Sequence, residues 1–436
     1  MKHRNLIRAW IAFGLLFCIL LGCCSCSGAM NEAAGDADYG AAPGYGDAYD
    51  EGYMADKVED GMAPEEGESG TENNTSYPAG LITAGAWDDN ENYTLWKELF
   101  LTGQTPEEEG KFASFTGDNA WSFTTDARVK VTVLRVGAPV AGVPVVATDA
   151  AGTILSRAVT NASGVAYLFP NTEKGSVSIA LAGESVTAEF SENARDLTLT
   201  MTSAVEKMNV IELMFVVDVT GSMGDELSYL NNEIADVVNR VVAANPGVQI
   251  RLALLFYRDH TDQEVFSYFD FTDVTNKSGL EAVQTTIRAQ RATGGGDTPE
   301  AVEDALKMAV EKQWSSGATT KLLFQILDAP PHSKEGNRKV YYEAVQKAAE
   351  QGIRFCPVIC SGADLLTEYL MRQAALSTGG TFVFVTDDSG IGNSHHDPQL
   401  PNVTVEALNS LMVRLINGYH TGTFAPPVHW KQDTRK

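Results

Sequence analysis

The 436-residue sequence has little cysteine, no basic excess and one long apolar run, and each shortage removes a class of protein. Of six cysteines, Cys18, Cys23, Cys24 and Cys26 lie in or just after the N-terminal apolar run. Only Cys356 and Cys360 belong to the body of the chain, so neither a disulfide framework nor a zinc-type spacing is present. These two lie in the strand-like run from Ile353 to Cys360, on one face and roughly 13 Å apart, too far for a mutual bond. They read as small buried hydrophobes. Lysine and arginine number 32 against 57 aspartates and glutamates, a net charge of −25. That balance excludes nucleic-acid binding through a basic patch. No Gly-Lys-Ser/Thr, no His-Glu-x-x-His and no legible Ser-His-Asp set occurs, which argues against a nucleotide-dependent enzyme or a hydrolase of those types.

The apolar run from Trp10 to Leu21 is shorter than the roughly 20 residues of a membrane-spanning helix. Preceded by Lys2, Arg4 and Arg8, it has the layout of an export signal. It ends in Leu20-Leu21-Gly22-Cys23, which resembles the bacterial lipobox. The resemblance implies a signal peptide over 1–22, cleavage before Cys23, a lipid on its thiol, and export to the bacterial cell envelope or surface; Cys24 and Cys26 are neighbouring candidates. Residues 23–77 are expected to be an acidic, disordered tether. From Glu32 to Glu72 there are thirteen acidic residues and one basic residue, Lys57, and too little Leu, Ile and Val to offset ordering entropy. A random coil of that size spans about 40 Å, and more when self-repelling.

Residues 78–125 are expected to be a short helical or irregular linker, with Asp89 or Asn90 capping a helix through Leu95, Trp96, Leu99 and Phe100. The stretch from Leu81 to Asn90 resembles a motif that precedes the repeat-like domains of some bacterial surface lipoproteins. Between 126 and 203 the pattern is short alternating runs, such as Val129-Val131-Val133, Val143 to Ala147 and Val165 to Phe169, separated by turn residues. That predicts a small all-β sandwich. Gly137 to Val145 resembles the Gly-x-Pro-Val-x-Gly-x-x-Val stretch of carboxypeptidase-regulatory-like and bacterial immunoglobulin-like modules.

From 208 to 422 strands and helices alternate, which predicts an α/β domain with a doubly wound, mostly parallel sheet; 423–436 is read as a tail. Leu213 to Val217 is apolar throughout, as a central strand buried on both faces should be. A helix is expected to start at Pro299, with proline in the first helical position. In such sheets ligands bind beyond the carboxyl ends of the strands. Three polar clusters are expected there: Asp218-Val219-Thr220-Gly221-Ser222, Gly294-Gly295-Gly296-Asp297-Thr298, and Asp328.

This constellation resembles the metal-ion-dependent adhesion site of von Willebrand factor type A and integrin inserted domains. The resemblance implies that Asp218, Thr220, Ser222, Thr298 and Asp328 hold a divalent cation, Mg²⁺ first and Mn²⁺ or Ca²⁺ as alternatives. Asp259, Asp297 and His332 are candidates for a supporting shell, and Arg258-Asp259 for an ion pair that orients the site. The runs Tyr257 to His260, Gly294 to Glu300, Asp328 to His332 and Thr378 to Thr381 resemble a bacterial and protist subgroup that includes kinase-linked members. Hydroxyl and carboxylate oxygens from three loops suit a hard cation that wants six oxygens near 2.0–2.1 Å. The function so implied is non-enzymatic: a surface lipoprotein, held to the membrane by its lipid, whose cation accepts a carboxylate from a partner protein. The competing expectation is a metal-dependent hydrolase built on His332, His395 and His396.

Overall fold

The computed structural model describes residues 78–101, 110–116, 121, 125–296, 298–391 and 394–435. The leader, the tether and Cys23 lie outside them. First come strand β1 (Thr83–Trp87) and helix α1 (Tyr93–Glu98). A β region follows: β2 (Val129–Arg135), β3 (Ala138–Pro139), β4 (Pro144–Thr148), β5 (Ile154–Val159), β6 (Val165–Leu168), β7 (Gly175–Leu181), β8 (Glu184–Phe190) and β9 (Asp196–Thr200). The α/β region comprises β10 (Lys207–Asp218), α2 (Gly224–Ala244), β11 (Gln249–Tyr257), β12 (Phe266–Asp273), α3 (Lys277–Arg288), α4 (Val302–Val310), β13 (Ala318–Leu327), α5 (Glu335–Gln351), β14 (Ile353–Ile359), α6 (Leu365–Thr378), β15 (Phe382–Val385), β16 (Glu406–Ala407) and α7 (Leu408–Thr421).

The large sheet runs β12-β11-β10-β13-β14-β15-β1-β16. Strands β11, β10, β13, β14 and β15 are parallel to their neighbours in that order, and β12 is antiparallel to β11. Side chains of β10 alternate between two cores. Leu213, Phe215 and Val217 face α2, α3 and α7. Met214 and Val216 face α4, α5 and α6. Burial on both faces explains the unbroken apolar run in the sequence. Cys356 and Cys360 are free thiols buried in the first of these cores.

Residues 78–125 are a correction to the expected linker, because their first strand belongs to the large sheet. β1 pairs antiparallel with β15 and with β16. Its entry is held by Glu233 of α2, whose buried carboxylate accepts the backbone N–H groups of Gly80, Leu81 and Ile82 at 2.8–3.2 Å. Gly85 is needed for close approach, since a Cβ there would lie 2.3 Å from Phe384 Cζ. Beyond it, Trp96 and Phe112 pack edge-on with Phe100, and Phe100 and Phe112 meet Tyr369 of α6. Asp89 and Asn90 do not cap α1. Asp89 is ion-paired with buried Arg372 at 2.6 Å, and the Asn90 amide donates to the Leu376 carbonyl at 2.9 Å. Residues 423–435 also return to the domain: Phe424 meets Tyr419 edge-on, and the Trp430 N–H reaches the Val405 carbonyl at 2.9 Å.

The β region forms two four-stranded sheets, β3-β2-β6 with β9 on β2, and β5-β4-β7-β8. They close on a common core that includes Val131, Val145, Leu168 and Ile179, the sandwich that the alternating pattern predicts. It docks at the amino-terminal edge of the large sheet. The Arg354 guanidinium, at the start of β14, donates to the Val159 carbonyl at 2.6 Å, and the Ser163 hydroxyl donates to the Gly422 carbonyl at 3.1 Å. The carboxyl edge is the opposite one.

Arg372 is 1% exposed and lies between Asp89 and Glu368. Asp89→Ala should lower unfolding free energy toward the lower end of the about 3–5 kcal/mol that follows loss of one partner of a buried pair. Denaturant titration measures this; a change near zero would show that residues 78–101 are not integral to the domain.

Candidate metal centre

β10 has β11 on one side and β13 on the other, so the chain reverses its direction of sheet growth at this strand. Open α/β sheets form their binding crevice at such a point, outside the carboxyl ends. Asp218 is the last residue of β10, opposite Tyr257 of β11. Asp328 follows directly on β13, whose Ile326 pairs with Val217. Register alone therefore sets the two aspartates side by side.

Asp218 is fully buried. Its Oδ1 accepts the Thr220 N–H at 2.9 Å and the Thr220 hydroxyl at 2.7 Å. This turn holds the loop in place, so Asp218 does not cap α2, which begins only at Gly224. Its Oδ2 is buried without a hydrogen-bond partner. Thr220 Oγ1 lies 3.2 Å from Ser222 Oγ. The Ser222 hydroxyl also faces Asp328, whose Oδ1 is buried and unpartnered. Thr220 is buried whereas Ser222 is exposed, so the oxygen set runs from the sheet interior to the surface.

Thr298 lies on the third loop and is exposed; Asp297 lies outside the described residues. The helix predicted from Pro299 begins at Val302 instead. The intervening turn turns Glu300 inward to 4% exposure, with Oε2 unpartnered and its N–H on the Pro330 carbonyl at 3.2 Å. Gly295 permits this: it has φ +75°, and a Cβ on it would lie 2.9 Å from Glu300 Oε1 and 3.1 Å from Thr220 Cβ. Sequence reasoning missed Glu300, although its place beside Thr298 is a usable signal. It also missed Glu226 of α2, which is buried. One of its carboxylate oxygens takes the N–H and hydroxyl of Ser361, and the other is unpartnered.

Four acids thus share a poorly solvated edge. Burial first, then the charge of Asp328, pushes the Asp218 carboxyl up to about 7. Burial, with Glu226 nearby, raises Asp328 to about 6. Glu300 is raised to about 8 by burial and then by Asp218, Asp259 and Asp328. A divalent cation fits this set: buried carboxylate oxygens without donors, adjoining hydroxyls, and an exposed rim.

The remaining sequence candidates separate. His332 stands against Asp259 and Glu303 at 3.3 and 3.1 Å. His395 pairs with Asp387 at 2.7 Å. His396 pairs with Glu368 at 2.7 Å. A hydrolase centre made of His332, His395 and His396 is therefore a correction: the three rings have three different carboxylate anchors, each on a different element. Arg258 is not the ion-pair partner of Asp259; it donates to the Thr293, Glu264 and Arg291 carbonyls.

Residues 212–356 match the family model described as von Willebrand factor A domain. The chain carries a von Willebrand factor A domain. Over 134 residues it is 31% identical to an ariadne-like RING finger protein of Acanthamoeba polyphaga mimivirus, covering 31% of this chain and 12% of that protein. Over 164 residues it is 27% identical to the alpha-protein kinase vwkA of Dictyostelium discoideum, covering 38% of this chain and 25% of that protein. The chain thus spans a quarter or less of these relatives. Among solved structures, the pilus adhesin SpaC from Lactobacillus rhamnosus GG aligns at 9% identity and TM-score 0.34, over 57% of this chain and 32% of that one. A von Willebrand factor type A protein from Catenulispora acidiphila aligns at 11% identity and TM-score 0.31, over 57% of this chain and 45% of that one.

The matched stretch of the von Willebrand factor A domain holds every acid of the crevice, Asp218, Glu226, Glu300 and Asp328. The raised values of Asp218, Glu300 and Asp328 give a pH prediction. Unfolded carboxyls titrate near 4, so the metal-free folded chain binds more protons than the unfolded chain between about pH 4 and 8. Its stability should fall as pH rises across that window. A cation that replaces those protons should raise Tm more at pH 8 than at pH 5. Thermal melts with Mg²⁺ and with EDTA measure both slopes; an equal Mg²⁺ shift in Asp218→Asn would contradict the assignment.

Proposed function

We propose that the von Willebrand factor A domain binds a divalent cation, Mg²⁺ before Mn²⁺ or Ca²⁺, and grips through it a carboxylate of a partner protein. The observation that carries this reading is the pair of buried, donorless oxygens, Asp218 Oδ2 and Asp328 Oδ1, beside the Thr220 and Ser222 hydroxyls. Asp218 and Asp328 would supply charge, Thr220 and Ser222 neutral oxygen, and Thr298 a ligand from the rim, either directly or through water. Bound there, the ion supplies an electrophilic position for an incoming carboxylate, since Mg²⁺ keeps several exchangeable waters when held by few protein groups.

The reading is of a binding module and not an enzyme. The Thr220 hydroxyl donates its proton to Asp218, which leaves its oxygen lone pairs free to face a cation. The adhesive role also fits the chain's layout. A lipid on Cys23 and an acidic tether would place the domain at the bacterial cell envelope, and the sandwich at the far edge of the sheet leaves the carboxyl edge facing away from it.

Isothermal titration of the chain with Mg²⁺, followed by capture of cell-envelope proteins with Mg²⁺ or EDTA, tests the proposal. Wild type should bind one equivalent of Mg²⁺ and retain a partner only with Mg²⁺. Asp218→Ala should lose both while keeping its circular dichroism spectrum. Retention that survives EDTA and Asp218→Ala would overturn the metal-dependent reading, and turnover of a nucleotide or ester by the pure chain would overturn the non-enzymatic one.

A further inference from the structure

A second cluster of metal-ligating side chains lies next to the crevice and has different chemistry. Asp259 and His260 sit on the loop that leaves β11, and His332 lies four residues beyond Asp328. One potential ligand atom from each of these three lies within 4.8 Å of the others. The two imidazole rings stack with centroids 4.6 Å apart and 12° between planes, so the exposed His260 ring must turn before both direct lone pairs at one ion.

The hydrogen bonds around the cluster fix its chemistry. Glu303, in the first turn of α4 and 1% exposed, accepts the His332 backbone N–H at 3.1 Å and the Asn337 amide at 2.6 Å. Its Oε1 also faces His332 Nδ1 at 3.1 Å. A carboxylate there calls for a hydrogen on Nδ1. In the neutral ring, Nε2 then presents a lone pair, and it points at Asp259 Oδ1, 3.3 Å away. Asp259 is 3% exposed. Its Oδ2 takes the Thr261 N–H and hydroxyl, and its Oδ1 has no hydrogen-bond donor. Two lone-pair groups facing each other in a buried position call for a positive charge between them, a proton or a metal ion. His260 repeats the pattern on the open side: its Nε2 lies 2.9 Å from Asp304 Oδ2, and Asp304 follows Glu303 in the same helical turn. Each histidine therefore has one nitrogen held by an α4 carboxylate, the arrangement that orients metal-bound histidines and raises their basicity.

We propose that Asp259, His260 and His332 hold a transition-metal dication of the Zn²⁺ class, oriented by Glu303 and Asp304, in addition to the oxygen-lined centre at Asp218 and Asp328. Two imidazoles and one carboxylate are the donors that borderline metals prefer, whereas Mg²⁺ takes oxygen. Three protein ligands leave a position for water or a partner's side chain, and the His260 side chain is 37% exposed at that mouth.

The test uses the full chain carrying Asp218→Ala, in excess Mg²⁺, titrated with Co²⁺ and followed by visible absorption, with Zn²⁺ as competitor. One equivalent of Co²⁺ should bind with a spectrum of nitrogen ligation and be displaced by Zn²⁺. His260→Gln and His332→Gln should each weaken binding at least tenfold, and Glu303→Gln should weaken it about 10–100-fold without removing a ligand. Failure of the Asp218→Ala chain to bind either metal, or unchanged affinity in His260→Gln, would overturn the proposal. His260 is half-exposed, so its variant decides the matter even where His332→Gln does not fold. Mg²⁺ binding by wild type is read separately, so either centre can fail without the other.

Discussion

The carboxyl edge of the sheet is governed by one constraint: negative charge is buried there faster than donors are provided to meet it. Asp218, Asp328, Glu300 and Glu226 each keep one oxygen that is shielded from water and unmatched by any hydrogen-bond donor. Desolvated carboxylates without partners are costly, and like charges at close range raise one another's proton affinity. The domain tolerates this because its scaffold is settled elsewhere, in the two apolar cores either side of β10. Beyond the His395 imidazole, 3.7 Å from Glu226, the charge of this edge would be met either by protons, at a cost that grows with pH, or by a cation.

Parallel strand register explains why this arrangement forms. In β10 and β13 the pairing of Val217 with Ile326 places one strand-end aspartate next to the other without help from any loop. The loops then add oxygen at graded depth, from buried Thr220 to exposed Ser222 and Thr298. Glycine at 295 allows the third loop to close on the first, because a side chain there would collide with Thr220 and Glu300. The same loop continues into α4, whose first-turn acids hold His332 and His260. The oxygen-lined crevice and the histidine cluster therefore share two connections, the one into α4 and the one after β13, and Glu300 feels the charge of Asp218 and of Asp259 alike.

Much of this was legible because it depends on strand ends. Asp218 stands out where an unbroken apolar run stops and Asp328 where a mostly apolar one does, and Thr220 and Ser222 follow Asp218 at once in the chain. Other parts depend on contacts that no local pattern carries. β1 reads Thr-Ala-Gly-Ala-Trp, with small residues of weak strand preference, and its place in the sheet is set by Glu233 and Phe384, far away in sequence. Asp89 looks like a helix cap until Arg372 is seen beside it. Pro299 looks like a helix start, but the turn from Thr298 to Ala301 is kept open so that Glu300 can point inward. The histidines looked like one cluster because their loops share an edge. They part because each ring is held by a different carboxylate, buried Glu303 on α4, buried Glu368 on α6 and exposed Asp387 after β15.

That partition bears on how the edge could discriminate between ions. An oxygen-only set and a mixed nitrogen and oxygen set, side by side, do not compete for the same cation, since hardness sorts Mg²⁺ to the first and borderline metals to the second. They are coupled all the same. Occupation of either site lowers the negative potential felt by Glu300, and any movement of the 294–303 segment to meet one ion displaces groups that serve the other. On the proposed reading the charge of the crevice would be balanced by an arriving ion, and a partner's carboxylate would be accepted only afterwards.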